Sequence, residues 1–216
     1  MEAFAINPAE VRDISETLLD EQQRLRVVAA ETLASTTREE RLLFGVRHGI
    51  YSFPTQELVG FLKERIAGRG AIEIGAGHGV LAAALNIPAT DNRQQEEPAM
   101  RAYYKSIRQP TVPYGENVEK LDALTALRRY RPRVVVACWV THVMDPKNPG
   151  AGRSATGVDE AQLIAECDEY IFIGNEHVHH QKPIWSLPHE KLKPAWLYSR
   201  AANGTKDFVA MWRRRP

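Results

Sequence analysis

Ala71-Ile72-Glu73-Ile74-Gly75-Ala76-Gly77-His78-Gly79 is the stretch whose reading decides the fold. A short apolar run ends in three glycines at alternate positions, which describes a buried strand stopping in a sharp backbone turn. Gly75 and Gly77 keep side chains out of the space a ligand needs, and Gly79 permits close packing of the next helix. The small-residue segment 79–86 supplies that helix, and the N–H groups near its start can serve a carboxylate or a phosphate.

The spacing of the glycines narrows the ligand. A dinucleotide fingerprint runs G-x-G-x-x-G, whereas here Val80 follows Gly79 and the spacing is G-x-G-x-G. Glu73 adds negative charge beside the turn, which repels a pyrophosphate and suits an ammonium group or a water beside an amino acid. The pattern therefore argues against a nicotinamide dinucleotide and for S-adenosylmethionine. Ala76, His78 and the glycines are the expected contacts in the turn.

Further acids follow at strand ends. Asp91 closes the short strand 87–91, where its carboxylate can accept both hydroxyl protons of a ribose, with Asn92 beside it. Asp122 and Ala123 precede the next helix, and Glu119 is an alternative to Asp122. If the strand ends meet in one crevice, Glu73, Asp91 and Asp122 face the amino-acid, ribose and adenine parts of the cofactor. The competing structural readings are a plain glycine turn and an Asp91 that merely caps the turn after it.

Outward from this centre, strands and helices alternate. Thr55 caps a helix whose apolar face is Leu58, Val59, Leu62 and Ile66. The segment 118–132 has Leu121, Leu124, Leu127 and Tyr130 at helical spacing. RVVVACWV (133–140) is the strongest strand, and its unbroken apolarity implies burial on both faces. Thr156 with Asp159 resembles a capping box for a helix ending at Glu166, and EYIFIGN (169–175) is another strand. Asn203-Gly204 between apolar segments signals a hairpin over 194–213. Residues 8–44 carry two or three amphipathic helices, and 45–54 is a connector. The fold class is therefore α/β: a Rossmann-like doubly wound sheet, mostly parallel, with a C-terminal antiparallel hairpin and an N-terminal helical cap. Residues 1–48 form the helical extension or cap and 49–216 the cofactor-binding domain. The polar loops 92–116 and 141–157 are candidates to cover a substrate.

Composition bounds the rest. The 216 residues are 44% hydrophobic, enough for one substantial core, and 28 Lys and Arg against 27 Asp and Glu leave a net charge of +1. That balance gives no general nucleic-acid binder. Cys138 and Cys167 are expected as reduced core thiols, with too few ligands for a thiolate metal site. No run approaches a membrane span and the first residues lack a targeting pattern, so a cytoplasmic protein is expected.

The motif AIEIGAGHG, Asp91, and Asp122-Ala123 together resemble the class I S-adenosylmethionine-dependent methyltransferase family over about residues 50 to 215. The match is most specific at the glycine turn, and the second strand is unusually short for the family. The resemblance implies a ribose-binding acid at Asp91, adenine recognition near Asp122, and groups close to the transferred methyl after the strand ending CWV (138–140). The sequence CWVTHVMDP lacks the acidic or asparagine residue before Pro-Pro-aromatic of amino-methylating nucleic-acid enzymes. It also lacks the Pro-Cys nucleophile of cytosine carbon methylation.

Methyl transfer needs alignment more than a catalytic triad, since the sulfonium already activates the carbon. If the acceptor must lose a proton, His142 is the first candidate base, with His177 and Glu176 after the next strand as others. Trp139 is placed to stack on acceptor or cofactor, or simply to pack. Tyr51, Tyr103, Tyr104 and Tyr114 are further lining candidates. His177 and His179 in HVHH would share a strand face, but without an acidic or cysteine partner no metal site is expected. Arg213, Arg214 and Arg215, like the basic run 128–133, read as solvated charge. The expected function is methyl transfer to a small molecule or polar metabolite. The alternatives are a protein or nucleic-acid acceptor, which a basic channel at the cofactor mouth would favour, a non-catalytic cofactor-binding or interaction protein, and a lyase or hydrolase consuming the cofactor.

Overall fold

A computed structural model describes residues 7–144 and 154–214. Three helices come first, α1 (Ser15–Leu18), α2 (Ala30–Ala34) and α3 (Arg38–His48). Strand β1 (Ser52–Phe53) leads into α4 (Gln56–Ile66), β2 (Ala71–Ile74), α5 (Val80–Leu85) and β3 (Ala89–Asp91). A 3-10 turn and α6 (Pro98–Ser106) precede β4 (Val118–Lys120), α7 (Ala123–Tyr130) and β5 (Val134–Cys138). The chain ends with α8 (Glu160–Glu166), β6 (Glu169–Asn175), β7 (Glu190–Leu192), β8 (Tyr198–Ser199) and β9 (Asp207–Arg213).

Among the described residues, seven strands form one sheet in the order β4-β3-β2-β5-β6-β9-β7. The first five run parallel, and β9 is antiparallel to both β6 and β7. From β2 the chain steps outward through β3 to β4, then crosses back to β5 on the other side of β2. That reversal makes a topological switch point between β2 and β5, where a crevice opens beyond the carboxyl ends of the strands.

Alternation along each strand explains why RVVVACWV is apolar throughout. Ile72, Ile74, Val135, Ala137, Tyr170, Phe172 and Trp212 face one side, packed with Ala126 and Leu127 of α7 and Leu163 of α8. Val134, Val136, Ile171, Ile173, Val209 and Met211 face the other, packed with Leu58 and Leu62 of α4 and Leu81 of α5. Both faces are thus covered, as a parallel sheet requires.

The doubly wound, mostly parallel sheet with an antiparallel end agrees with the expectation, but several local readings are corrected. The proposed hairpin around Asn203-Gly204 does not form. β8 pairs instead with β1 in a separate two-stranded sheet, and β9 takes β7 as its antiparallel partner. The connector 45–54 is shorter than expected, because α3 continues to His48 and stops at Gly49 in the left-handed region. Thr37 and Glu40 form the reciprocal capping box that starts α3, a signal the sequence reading passed over. Thr156 does not cap α8; the Asp159 carboxylate does, accepting from the Gln162 N–H. The 118–132 segment opens as strand β4 before α7 begins, and the polar stretch 92–116 contains α6.

The N-terminal helices pack on the body through a cluster that straddles the proposed boundary. Leu18, Leu33, Phe44 and Phe53 are buried together with Val80 and Tyr198 against them. Cys138 and Cys167 are free thiols, both pushed up to about 12 by burial. No helix among the described residues is long and apolar enough to cross a membrane. Arg215 and most of the 141–157 loop lie outside the described residues.

Candidate functional site

A cavity of about 690 Å³ opens at the switch point, within the range of small-molecule sites. Its floor is the glycine turn. Gly75, with φ +59°, has no space for a Cβ, because Val140 Cγ1 would stand only 2.4 Å from it. Gly79, with φ +70°, is crowded instead by Val118 and Asn117 at the start of β4. Gly79 therefore serves the packing of strand β4 against the turn and does not line the cavity, unlike Gly75, Ala76, Gly77 and His78.

Two carboxylates meet this turn. Strand alternation puts Glu73 on the α5 side of the sheet, where its Oε2 accepts the Ala82 N–H at 2.8 Å. The N-cap position of α5 is Gly79, which has no side chain to cap the helix, so the strand residue supplies the cap from outside it. Burial pushes the Glu73 carboxyl up to about 8, and the nearby Asp91 adds to the rise. Asp91 turns towards the same bend, its Oδ2 accepting Gly77 N–H at 3.0 Å and its Oδ1 accepting Arg93 N–H at 2.7 Å. Burial raises Asp91 also, against the pull of those two hydrogen bonds.

Four of the turn's N–H groups are thus engaged within the protein. Ala76 donates to the Thr90 carbonyl, Gly77 to Asp91, Gly79 to the Ala76 carbonyl and Val80 to His78 Nδ1. These four donors are turned onto groups of the protein itself, of which Asp91 is the one acid. His78, half-buried in the wall, is pushed down to about 4 by burial and is neutral.

Asp122 lines the cavity at the head of α7 but spends one oxygen capping that helix, accepting the Thr125 N–H at 3.0 Å. Hydrogen bonds from Thr125, its side chain first and then its N–H, hold the carboxyl below the usual range. Ala123 and Leu124 line the wall beside it. Glu119, the alternative acid, points elsewhere, to Arg129 and Tyr130 on α7. Asp159 completes four carboxylates in the described lining, which holds no lysine or arginine.

The two covering segments meet over the cavity. Asn92 Nδ2 donates to the Thr156 carbonyl at 3.0 Å, and the Ser154 and Thr156 hydroxyls both reach Gln94 Oε1. Tyr104 of α6 and Tyr114 add aromatic walls, with Tyr104 hydrogen-bonded to Tyr51. Tyr103 is exposed and takes no part. The sequence offered little to find Gln94 and Gln95, since they belong to a polar stretch without a ligand motif, whereas Tyr51, Tyr104 and Tyr114 were among the lining candidates and do line the cavity.

The proposed catalytic residues separate. Trp139 lines the cavity at the end of β5, in the left-handed region at φ 58°. His142 is buried and lines a second cavity beyond Trp139, not the one at the glycine turn. His177 is exposed, stacked on His180, and lines neither cavity. Strand β6 ends at Asn175, so His177 and His179 never share a strand face; His179 folds back, where its Nδ1 accepts the Asn175 N–H. Glu176 pairs with Lys193 and Lys191. No group of metal-binding residues occurs among the described residues.

No protein-family profile matches the chain, and no curated protein does. Among solved structures, it is similar to an rRNA methylase from Streptococcus thermophilus, with 12% identity over 73% of this chain and 94% of that one, at a TM-score of 0.41. It is also similar to an uncharacterized protein from Listeria monocytogenes, with 11% identity over 73% and 67% of the two chains and a TM-score of 0.37. A mitomycin 7-O-methyltransferase aligns with 13% identity over 72% of this chain and 53% of its own, at a TM-score of 0.38, so this chain spans about half its length.

Proposed function

We propose that the chain is an S-adenosylmethionine-dependent methyltransferase acting on a small molecule. The observation that carries the reading is Asp91, fixed by two backbone N–H groups against the glycine turn in a cavity whose described lining has four carboxylates and no fixed cation. A pyrophosphate finds repulsion there and no lysine or arginine in the described lining. A ribose diol finds a positioned carboxylate with lone pairs still available, and a ligand bearing ammonium and sulfonium groups finds the opposite charge.

In this reading the cofactor supplies a carbon already activated for attack. The protein's residues hold and orient: Asp91 takes the ribose hydroxyls, Glu73 and the turn hold the amino-acid end, and Asp122 with Ala123 and Leu124 borders the adenine. Asn92, Gln94 and Thr156 close the covering segments and exclude water. Neither His142 nor His177 lines this cavity, so the rate comes mainly from alignment. The resemblance noted in the sequence supports the same assignment, and Gly49 and Tyr51, which follow the N-terminal helices, line the cavity.

Calorimetric titration with S-adenosylmethionine and S-adenosylhomocysteine tests the reading. Binding in the micromolar range, about 8 kcal/mol, is expected, with at least a tenfold loss in Asp91→Ala. A folded protein that shows no saturable binding of either ligand overturns it.

A further inference from the structure

The wall formed by Tyr51, Trp139, Val140 and Thr141 faces two cavities. The second, of about 460 Å³, is opposite in charge to the first: Arg200 and Lys182 are in its lining and no carboxylate is. Lys182 is neutralised locally, since its Nζ binds Glu160 and both side chains are 1% exposed. Arg200 has no carboxylate partner among the described residues. Its guanidinium lies over the Tyr51 ring at 3.7 Å and reaches the Gly45 carbonyl at 3.5 Å. It is the uncompensated cation of this cavity.

The remaining groups suit a planar anion. The Trp139 and Tyr51 rings stand 6.0 Å apart and tilted, and His179 meets Trp139 edge to face at 5.1 Å, giving aromatic surfaces in more than one plane. The Trp139 indole N–H is covered from solvent and makes no hydrogen bond among the described residues. Gln109, Gln181 and Asn203 add neutral polar groups at the lining. The volume is that of a small molecule, not of a strand of nucleic acid.

We propose that this second cavity is an anion subsite that takes a planar small molecule held through a carboxylate on Arg200, on the other side of the Trp139–Thr141 wall from the glycine turn. The preference for an anion rests on Arg200 and the charge of the lining, and it stands independently of the methyl-transfer reading above.

The test uses the full chain, loaded with S-adenosylhomocysteine and also free, titrated with 4-hydroxybenzoate and with the neutral 4-hydroxybenzamide as probes. The carboxylate is expected to bind at least tenfold more tightly than the amide. Arg200→Gln removes that preference, while Arg200→Lys keeps most of it. Gln181→Glu, at an exposed position, weakens the carboxylate severalfold without touching the fold. Affinity for S-adenosylhomocysteine stays unchanged in all three variants. Equal binding of carboxylate and amide, or a preference that survives Arg200→Gln, overturns the proposal. So does a short single-stranded RNA that binds in an Arg200-dependent manner where the carboxylate does not. If the carboxylate binds through Arg200 but S-adenosylhomocysteine does not bind at all, the anion site stands and the methyl-transfer reading falls.

Discussion

Glu73 carries two duties that conflict, and pH separates them. Its carboxyl rises from an ordinary 4.5 to about 8 because it is buried. A group raised in the folded state contributes stability that is complete below about 4.5 and is lost as pH climbs through about 8. Glu73→Gln keeps an oxygen to accept the Ala82 N–H but cannot ionise. Thermal melts should therefore show the variant more stable than the parent at pH 8 and nearly equal at pH 5; an unchanged pH profile would count against the buried, ionising carboxyl. A cationic ligand favours the ionised form, so the parent should bind S-adenosylmethionine more tightly as pH rises towards 8. Residues of this kind were legible where a motif places them. Glu73, Asp91 and the turn glycines are fixed by local backbone geometry, and the sequence carries that information over a few residues. Arg200 and Lys182 were not legible, because they reach the wall of Trp139 only through tertiary packing, from far along the chain.

At the scale of elements, the buried pair of Lys182 and Glu160 ties three pieces together. Lys182 Nζ also donates to the Val140 carbonyl at 2.9 Å, and Tyr170 of β6 donates to the other Glu160 oxygen at 2.7 Å. The pair thus pins α8, β6 and the turn after β5, and Val140 in turn packs on Gly75. Lys182→Met leaves Glu160 buried without its cation and should cost about 3–5 kcal/mol in denaturant unfolding. The double variant Lys182→Met with Glu160→Gln should recover much of that loss, and a double variant as unstable as the single would contradict the pairing. Elements with strong periodicity, such as α4, β5 and β6, were legible because burial on two faces or one stripe writes itself into every residue. β4 and β8 were not: at three and two residues they are too short for a pattern, and their pairing is set by distant partners. Asn203-Gly204 shows the same limit, since a good turn dipeptide cannot choose which sheet its flanking segments join.

For the molecule as a whole, the doubly wound order could be anticipated from alternation alone and the N-terminal helices were expected as a cap, while the residues that join them to the body could not be read from the sequence. The cluster of Leu18, Leu33, Phe44 and Phe53 closes over Val80, the first residue of α5, and β1 pairs with β8. A chain beginning at Ile50 would expose this surface next to the glycine turn. It should bind a hydrophobic dye and lose a cooperative melt, whereas an unchanged melt would mark residues 1–49 as dispensable to the body.

Trp139, Val140 and Thr141 form one partition between compartments of opposite sign. A cation held on one side and an anion held on the other would attract across it, so each would tighten the other's hold by the same factor. Occupancy of the two compartments would then be coupled through charge alone, with no hinge having to move.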